Sequence, residues 1–584
     1  MGKIFAKLKP FFWQVVIIFL LITGQAIADL YLPRLMSDLV NYGIGVSTRV
    51  ANVPYIWQVG GLMLAVSAGG MLCSVLASYF AARVSMGLGM NLRNFVFQKV
   101  ESYSLSEFDK FGTASLITRT TNDITQVQMF FLLFFRMVLS SPITIVGGVI
   151  MAVGTDASLW WIIAGVVPLL AAAMTAIGVL GFPLFKKRQM LLDKLNLVAR
   201  EGLTGVRVVR AFDRTPYQTE RFYEANKNLT GLDVKVNRLM SLGQPLVMLI
   251  MNVTIIAILW FGGRSAVAGD MQLGGLLAFI QYAMQILFAV LMLAFIFIFW
   301  PRAAASAARI NQVLETKESI LDPKSARSPV GMRGTVEFRD VSFAYPGEKK
   351  TVSDVPAVTD ITFTAHPGET TAIIGGTGSG KTTLLNLILR FYDIQKGAIL
   401  VDGIDVREMT QEELRKKIAY VPQRAVLFSG SVAENIRYGD PGATDDEVRH
   451  FAEVAQAKEF IDGMEGGFDA PIAQGGANVS GGQKQRLSIA RALIRRPEIY
   501  LFDDSFSALD FKTDARLRSA MKGETKDATV MIVAQRVSTV MEADRIVVLD
   551  EGQVVGIGTH RELIKSCEVY REIVSSQLSE EELA

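Results

Sequence analysis

Two cysteines in 584 residues, Cys73 inside an apolar run and Cys567 near the C-terminus, give no basis for a disulfide framework. Such sparse thiol usage suits a chain whose soluble part sits in a reducing compartment. An excess of one charge is also lacking: 59 Lys and Arg stand against 56 Asp and Glu, a net charge of +3. No Lys/Arg block interleaves with aromatics either, so nucleic acid is not expected as a partner. Ala6 occupies the position where a myristoylation signal beginning at Met1-Gly2 carries Ser or Thr. Length and apolar content, by contrast, are plentiful. Half the residues are hydrophobic, and 584 residues exceed the roughly 250 to 300 at which a single core stops growing. At least two domains follow.

The long apolar runs are confined to the first 300 residues or so. About 17 to 25 mainly apolar residues cross a bilayer as a helix, and six stretches qualify: 12–32, 55–80, 129–153, 159–180, 245–261 and 273–300. Lys3, Lys7 and Lys9 followed by an apolar stretch and Ala26-Ile27-Ala28 also fit a cleavable signal peptide. Continuation of the apolar run to Leu32, with five more spans behind it, favours an uncleaved membrane helix. Segment 182–244 carries twelve Lys/Arg against six Asp/Glu. The excess of basic residues there and at the N-terminus places the long loops and both termini in the cytoplasm. Helical spacing of Leu191, Leu195 and Val198 lets the long segments extend the membrane helices as stalks, with ordinary surface loops as the alternative.

Residues 1–310 are therefore expected to form an all-α six-helix transmembrane domain. An Ala-rich stretch, Ala303 to Ala308, then gives way to Asp322-Pro323, Ser328-Pro329 and Gly331, read as a linker over 311–334. From 335 to the end, β-branched runs at 335–345, 369–374, 418–421, 499–502, 530–533 and 546–549 alternate with helical stretches. This pattern predicts an α/β domain with a largely parallel sheet.

Gly375-Gly376-Thr377-Gly378-Ser379-Gly380-Lys381-Thr382-Thr383 follows one of these strands and opens an apolar helix, the setting of a phosphate-binding loop. Glycine amides and the helix N-terminus offer partial positive charge, Lys381 adds a point charge, and the Thr382 hydroxyl suits Mg²⁺. A second apolar strand ends in Asp503, where an acid can hold Mg²⁺ beside such a loop. Between them Ser480-Gly481-Gly482-Gln483 forms another Gly-rich turn opening a helix.

Residues 335–570 resemble an ATP-binding-cassette nucleotide domain, and residues 1–310 resemble the six-helix domain of that family's exporters. The resemblance implies ATP and Mg²⁺ as cofactors and a head-to-tail pair of nucleotide domains. It implies that Ser480, Gly481, Gly482 and Gln483 serve the partner's ATP. By the same resemblance Tyr345 stacks on adenine, Gln423 senses Mg²⁺ and the membrane domain, and Asp510 lies at the interface between the paired domains. Taken singly, Tyr345 also reads as a strand aromatic, Gln423 as a turn residue and Asp510 as a helix cap.

Two positions depart from the family pattern. Asp504 stands where a Glu orients or deprotonates the attacking water, and it is one methylene shorter than the reach a general base needs. Gln535 stands where a switch histidine contacts the terminal phosphate, and an amide cannot become cationic. The resemblance thereby narrows to the degenerate-site subunit of heterodimeric bacterial multidrug exporters of the LmrCD, BmrCD and EfrCD kind. It implies a second, different half-transporter chain as partner, contact with membrane lipid, and hydrophobic or amphipathic small molecules as cargo, in a bacterial plasma membrane. An ATP-gated channel or regulator, and a lipid or peptide exporter, are the alternatives.

Turns near Phe111 to Leu116 and Phe212 to Tyr217 resemble the family's coupling helices; packing within their own stalks is the other reading. Asp29 and Arg136 are costly in lipid and are expected to face a cavity, the bundle interior or an interface. The stripe Tyr282, Phe288, Met292, Phe295 and Phe299 either lines an adaptable pocket or packs helices.

Overall fold

Helices that begin in apolar sequence continue well past the length a bilayer requires. A computed structural model describes residues 1–44, 51–269, 271–294, 296–328, 331, 333–345 and 356–577. Among the described residues six helical stretches are long and apolar enough to cross a membrane: Lys9–Gly43, Val53–Glu101, Thr113–Thr155, Ala157–Thr204, Thr215–Ala268 and Leu273–Glu315. Each encloses one of the six segments expected from hydropathy. Their extra turns carry polar residues, which accounts for the shorter lengths read from sequence.

Contacts divide the chain into two units, one of Met1–Glu101 with Ala114–Thr316 and one of Ser102–Thr113 with Lys317–Ala584. In the first unit, Ile258, Phe279, Tyr282 and Ile286 are buried in one cluster. Tyr282 thus packs inside the helices, as does Ala283, while Phe288 is exposed; Phe295 lies outside the described residues. Asp29 and Arg136 are both exposed on their helices, Arg136 within a π-helical turn, Phe134–Val138. The Ala-rich run belongs to helix Ile296–Glu315, which extends into the stretch read as linker. Burial of Ala303, Ala307, Ile310 and Val313 along one face explains why the helix continues. Pro329 lies outside the described residues.

Near Phe111 two short helices, Leu105–Phe111 and Thr113–Thr120, meet at Gly112, whose φ of 73° suits glycine. Phe111 stacks on Tyr103. Phe212, at the other turn, is 74% exposed.

Among its described residues the second unit contains twelve strands: β1 (Val336–Phe343), β2 (Val358–Ala365), β3 (Thr370–Gly375), β4 (Lys396–Val401), β5 (Ile404–Asp405), β6 (Ile418–Val421), β7 (Gly430–Ser431), β8 (Pro471–Ile472), β9 (Ile499–Asp503), β10 (Thr529–Val533), β11 (Arg545–Asp550) and β12 (Gln553–Gly558). Six of them form a sheet of order β12-β11-β3-β10-β9-β6, parallel except for β12. Helices cover both faces, so adjacent residues of one strand enter opposite cores: Tyr500 and Phe502 face one, Ile499 and Leu501 the other.

One expectation needs correction. β1 does not join the parallel sheet; it lies in a four-stranded sheet of order β2-β1-β4-β5, antiparallel to β2 and β4. Its alternating burial is that of a strand with one face on the core. β2, β4 and β12 were not apparent from β-branched runs.

Candidate nucleotide-binding site

β3 delivers the chain to Gly375, where a Cβ would stand 2.1 Å from the Leu549 carbonyl, so no larger residue fits at the strand end. The loop Gly375 to Gly380, with Gly376, Thr377 and Ser379 between, turns through Gly378 and Gly380 at φ of 84° and 94° and then enters helix Lys381–Ile388. Lys381 Nζ donates to the carbonyls of Gly375 (2.9 Å) and Gly376 (2.6 Å), holding the ammonium across the loop. Burial pushes that ammonium below the usual lysine range, against the pull of Asp504 and Asp503.

Thr382 Oγ1 donates to Asp503 Oδ1 at 2.9 Å, and Tyr420 donates to Asp503 Oδ2 at 3.4 Å. Asp503, at the end of β9, is 1% exposed, and burial raises its carboxyl above the ordinary range despite those hydrogen bonds. Asp504 follows with φ of 46°, a left-handed conformation uncommon for a residue with a side chain. Its Oδ2 accepts from two amides: Gln535 Nε2 at 3.0 Å and Gln423 Nε2 at 3.2 Å.

Tyr345 is 42% exposed and its hydroxyl lies 3.0 Å from Thr383 Oγ1, beside the loop. Tyr392 stands edge-on to it at 5.1 Å, as does Phe343 at 4.9 Å. These edges set the tilt of the Tyr345 ring.

Ser480 through Gln483 form a second, solvent-facing cluster. Ser480 caps helix Gly481–Leu493: Gln483 N–H donates to Ser480 Oγ, while Ser480 N–H donates to Gln483 Oε1. A Cβ at Gly482 would stand 3.2 Å from the Ala508 carbonyl, so the turn lies against the segment leading to Asp510. Asp510 itself caps helix Phe511–Glu524 through Thr513 N–H, which holds its carboxyl below the usual range.

The fold therefore gathers Lys381, Thr382, Asp503, Asp504, Gln423 and Gln535, with Tyr345 joined through Thr383. Tyr392, Tyr420 and Arg536 were not anticipated from the sequence. Arg536 Nη2 and Nη1 donate to the carbonyls of Ser507 (2.9 Å) and Leu509 (3.2 Å), fastening the segment before Asp510.

Would this donor set hold Mg²⁺ and ATP? Among the described residues no group of three or more His, Cys, Asp or Glu could enclose a metal. A hydroxyl and one carboxylate 2.9 Å apart do suit Mg²⁺, which takes few protein oxygens and completes its shell with phosphate and water. Residues of this kind fit a nucleotide-borne Mg²⁺ better than a resident metal.

Both halves of the chain are similar to known proteins. Residues 15–290 match the family model described as ABC transporter transmembrane region, and residues 358–507 match the one described as ABC transporter. The chain is 41% identical, over 98% of its length and 97% of the relative's, to an uncharacterized ABC transporter ATP-binding protein of Mycobacterium tuberculosis. It is 35% identical to a fatty acid ABC transporter ATP-binding/permease protein of Mycobacterium bovis, over 82% of this chain and 75% of that one. With the ATP-dependent lipid A-core flippase of Pseudomonas aeruginosa it shares 33% identity over 90% of this chain and 86% of the other. Its structure resembles that of a bacterial Atm1-family ABC exporter with ATP bound, at a TM-score of 0.77 and 25% identity, covering 97% of this chain and 98% of that one.

Proposed function

The chain belongs to the ABC transporter family as an exporter half-transporter, and from that premise we propose that it is the degenerate-site subunit of a heterodimer that exports hydrophobic or amphipathic compounds. Its nucleotide domain and termini face the cytoplasm of a bacterial cell. In this proposal Tyr345 takes the adenine ring, and the amides of Gly376 to Thr383 with Lys381 take the phosphates. Thr382, Asp503 and Gln423 attend Mg²⁺, which when bound neutralises charge on the terminal phosphates. Ser480 to Gln483 complete the partner's site, and Asp510 lies at the interface.

The observation that carries the slow-hydrolysis part is Asp504 Oδ2 accepting from both Gln535 and Gln423. A carboxylate one methylene short of Glu is anchored at the base of the site by two neutral amides. A general base must come within about 2.6 to 3.2 Å of the proton it takes, and neither amide supplies the positive charge a switch histidine offers to developing phosphoryl charge. Two copies of such a site in a homodimer would leave no competent one, which is the reason for proposing a different partner. The relatives named for fatty acid and for lipid A-core favour a lipid-like amphiphile as cargo, multidrug compounds being the other amphipathic class.

The test is ATPase activity of the purified chain in lipid nanodiscs, alone and with its genomic neighbour. Slow turnover alone, restored by the neighbour and raised by about tenfold or more in an Asp504→Glu/Gln535→His variant, is expected. Brisk turnover by the chain alone, unaltered by those substitutions, would overturn the proposal.

A further inference from the structure

The loop that carries Gln535 is held from behind by a residue of the C-terminal segment. Gln577, just past helix Glu568–Ser575, accepts from Val537 N–H through Oε1 at 2.8 Å. Its Nε2 donates to the Gln535 carbonyl at 2.8 Å. One amide thus grips the backbone on both sides of Arg536.

Helix chemistry explains why the grip matters. The first amides of a helix have no intrahelical acceptor and are ordinarily served by the side chain of the N-cap residue. For helix Val537–Val540 that residue is Arg536, which makes no side-chain cap hydrogen bond. Its guanidinium is committed to the Ser507 and Leu509 carbonyls and lies 5.2 Å over the Phe511 ring. The acceptor that Val537 lacks locally is supplied across 40 residues by Gln577.

We propose that Gln577 is a positioning residue of the nucleotide site: by fixing the backbone of Gln535 and Val537 it sets the reach of the Gln535 amide to Asp504 and to a bound terminal phosphate. The inference rests on the proposed role of Gln535 beside the nucleotide. An amide is the one common side chain of this length that both donates and accepts here. Glutamate keeps the acceptor for Val537 and loses the donor; leucine keeps the volume and loses both.

The full-length chain in nanodiscs tests this with hydrogen exchange over residues 533–541 and with the release rate of a fluorescent, non-hydrolysable Mg²⁺-ATP analogue. Gln577→Leu is expected to speed exchange at Val537 by about three- to fivefold, and Gln577→Glu to leave it near wild type. Analogue release is expected to quicken by about three- to fivefold in Gln577→Leu and by a similar factor in Gln535→Ala. The double variant should be no faster than the faster single. Unchanged exchange, unchanged release, or fully additive effects in the double variant would each overturn the proposal, the last marking a structural role that bypasses Gln535. Because the analogue is not hydrolysed, rapid ATP turnover by the wild-type chain would sink the degenerate-site proposal and leave this cycle able to decide.

Discussion

Tyr392 donates its hydroxyl to Asp109 Oδ2 at 2.9 Å, fastening helix Leu105–Phe111 to the ring cluster that tilts Tyr345. Burial and the facing carboxylate together push the phenol well above its ordinary pKa, so it remains a donor throughout the physiological range. Segment Ser102–Thr113 also meets residues 318 and 319, where Ser102 Oγ donates to Glu318 and Ser104 Oγ lies 2.8 Å from Ser319 Oγ. Tyr392→Phe keeps the ring against Tyr345 and removes only the hydroxyl. Asp109 is exposed and rehydrates, so the loss is about 1 kcal/mol. Hydrogen exchange over residues 104–112 is expected to accelerate with ATP affinity unchanged. Asp109→Asn, which keeps an acceptor, should fall between wild type and Asp109→Ala. Exchange identical to wild type in Tyr392→Phe would remove the hydrogen bond from the account.

Asp503, in its proposed place beside Mg²⁺, is expected to give the nucleotide domain a pH dependence of opposite sign with and without nucleotide. Burial raises its folded pKa above the unfolded value near about 3.9. Only between the two values does the folded state hold a proton that the unfolded state has released. This contribution to stability is fully present below the ordinary carboxylate pKa and is lost as pH rises through the raised one. With Asp503 in its proposed place beside Mg²⁺, nucleotide binding needs the carboxylate, so the affinity for Mg²⁺-ATP should weaken over the same interval as pH falls. Thermal midpoints measured from about pH 4 to pH 7.5, with and without Mg²⁺-ATP, should show the stabilisation by nucleotide growing with pH. Asp503→Asn is expected to flatten that dependence and to raise the ligand-free midpoint near neutrality.

The parts of the site legible in sequence are those whose chemistry is local. Gly375 to Thr383 announce themselves because the loop must join a strand to a helix within nine residues, and Asp503 because an apolar strand ends on it. Asp504 and Gln535 stand out as departures at fixed offsets from that framework. Tyr392, Tyr420 and Gln577 have no motif of their own, and the partner each meets is remote in sequence: Tyr345 for Tyr392, Asp503 for Tyr420, and Gln535, 42 residues away, for Gln577. The membrane helices divide likewise. Hydropathy registers only the turns that lipid would surround, and the polar turns beyond are held by packing, as at Ile310 and Val313. β2 and β4 escaped because half-buried antiparallel strands mix Thr, Asp and Lys with their apolar residues.

The polar ends of two long helices are joined by an ion pair with one member wholly buried. Asp123 is fully buried and accepts from Arg309 Nε at 2.7 Å, from Arg309 Nη2, and from Ser306 Oγ at 2.9 Å. Arg119 Nη1 adds a hydrogen bond to Gln312 Oε1 at 3.0 Å between the same stretches, Thr113–Thr155 and Leu273–Glu315. The two partners are not equivalent. Removing Arg309 strands a carboxylate without access to water, whereas removing Asp123 frees a guanidinium that is already 45% exposed and can hydrate. Arg309→Met is therefore expected to cost about 3 to 5 kcal/mol and Asp123→Ala about 1 to 3. Arg309→Met combined with Asp123→Leu should recover much of the loss, since an apolar pair of similar volume leaves no buried charge behind. Thermal unfolding of the detergent-solubilised chain and its three variants checks the order. Equal losses in the two single variants, or no recovery in the double, would show that packing rather than charge governs this junction.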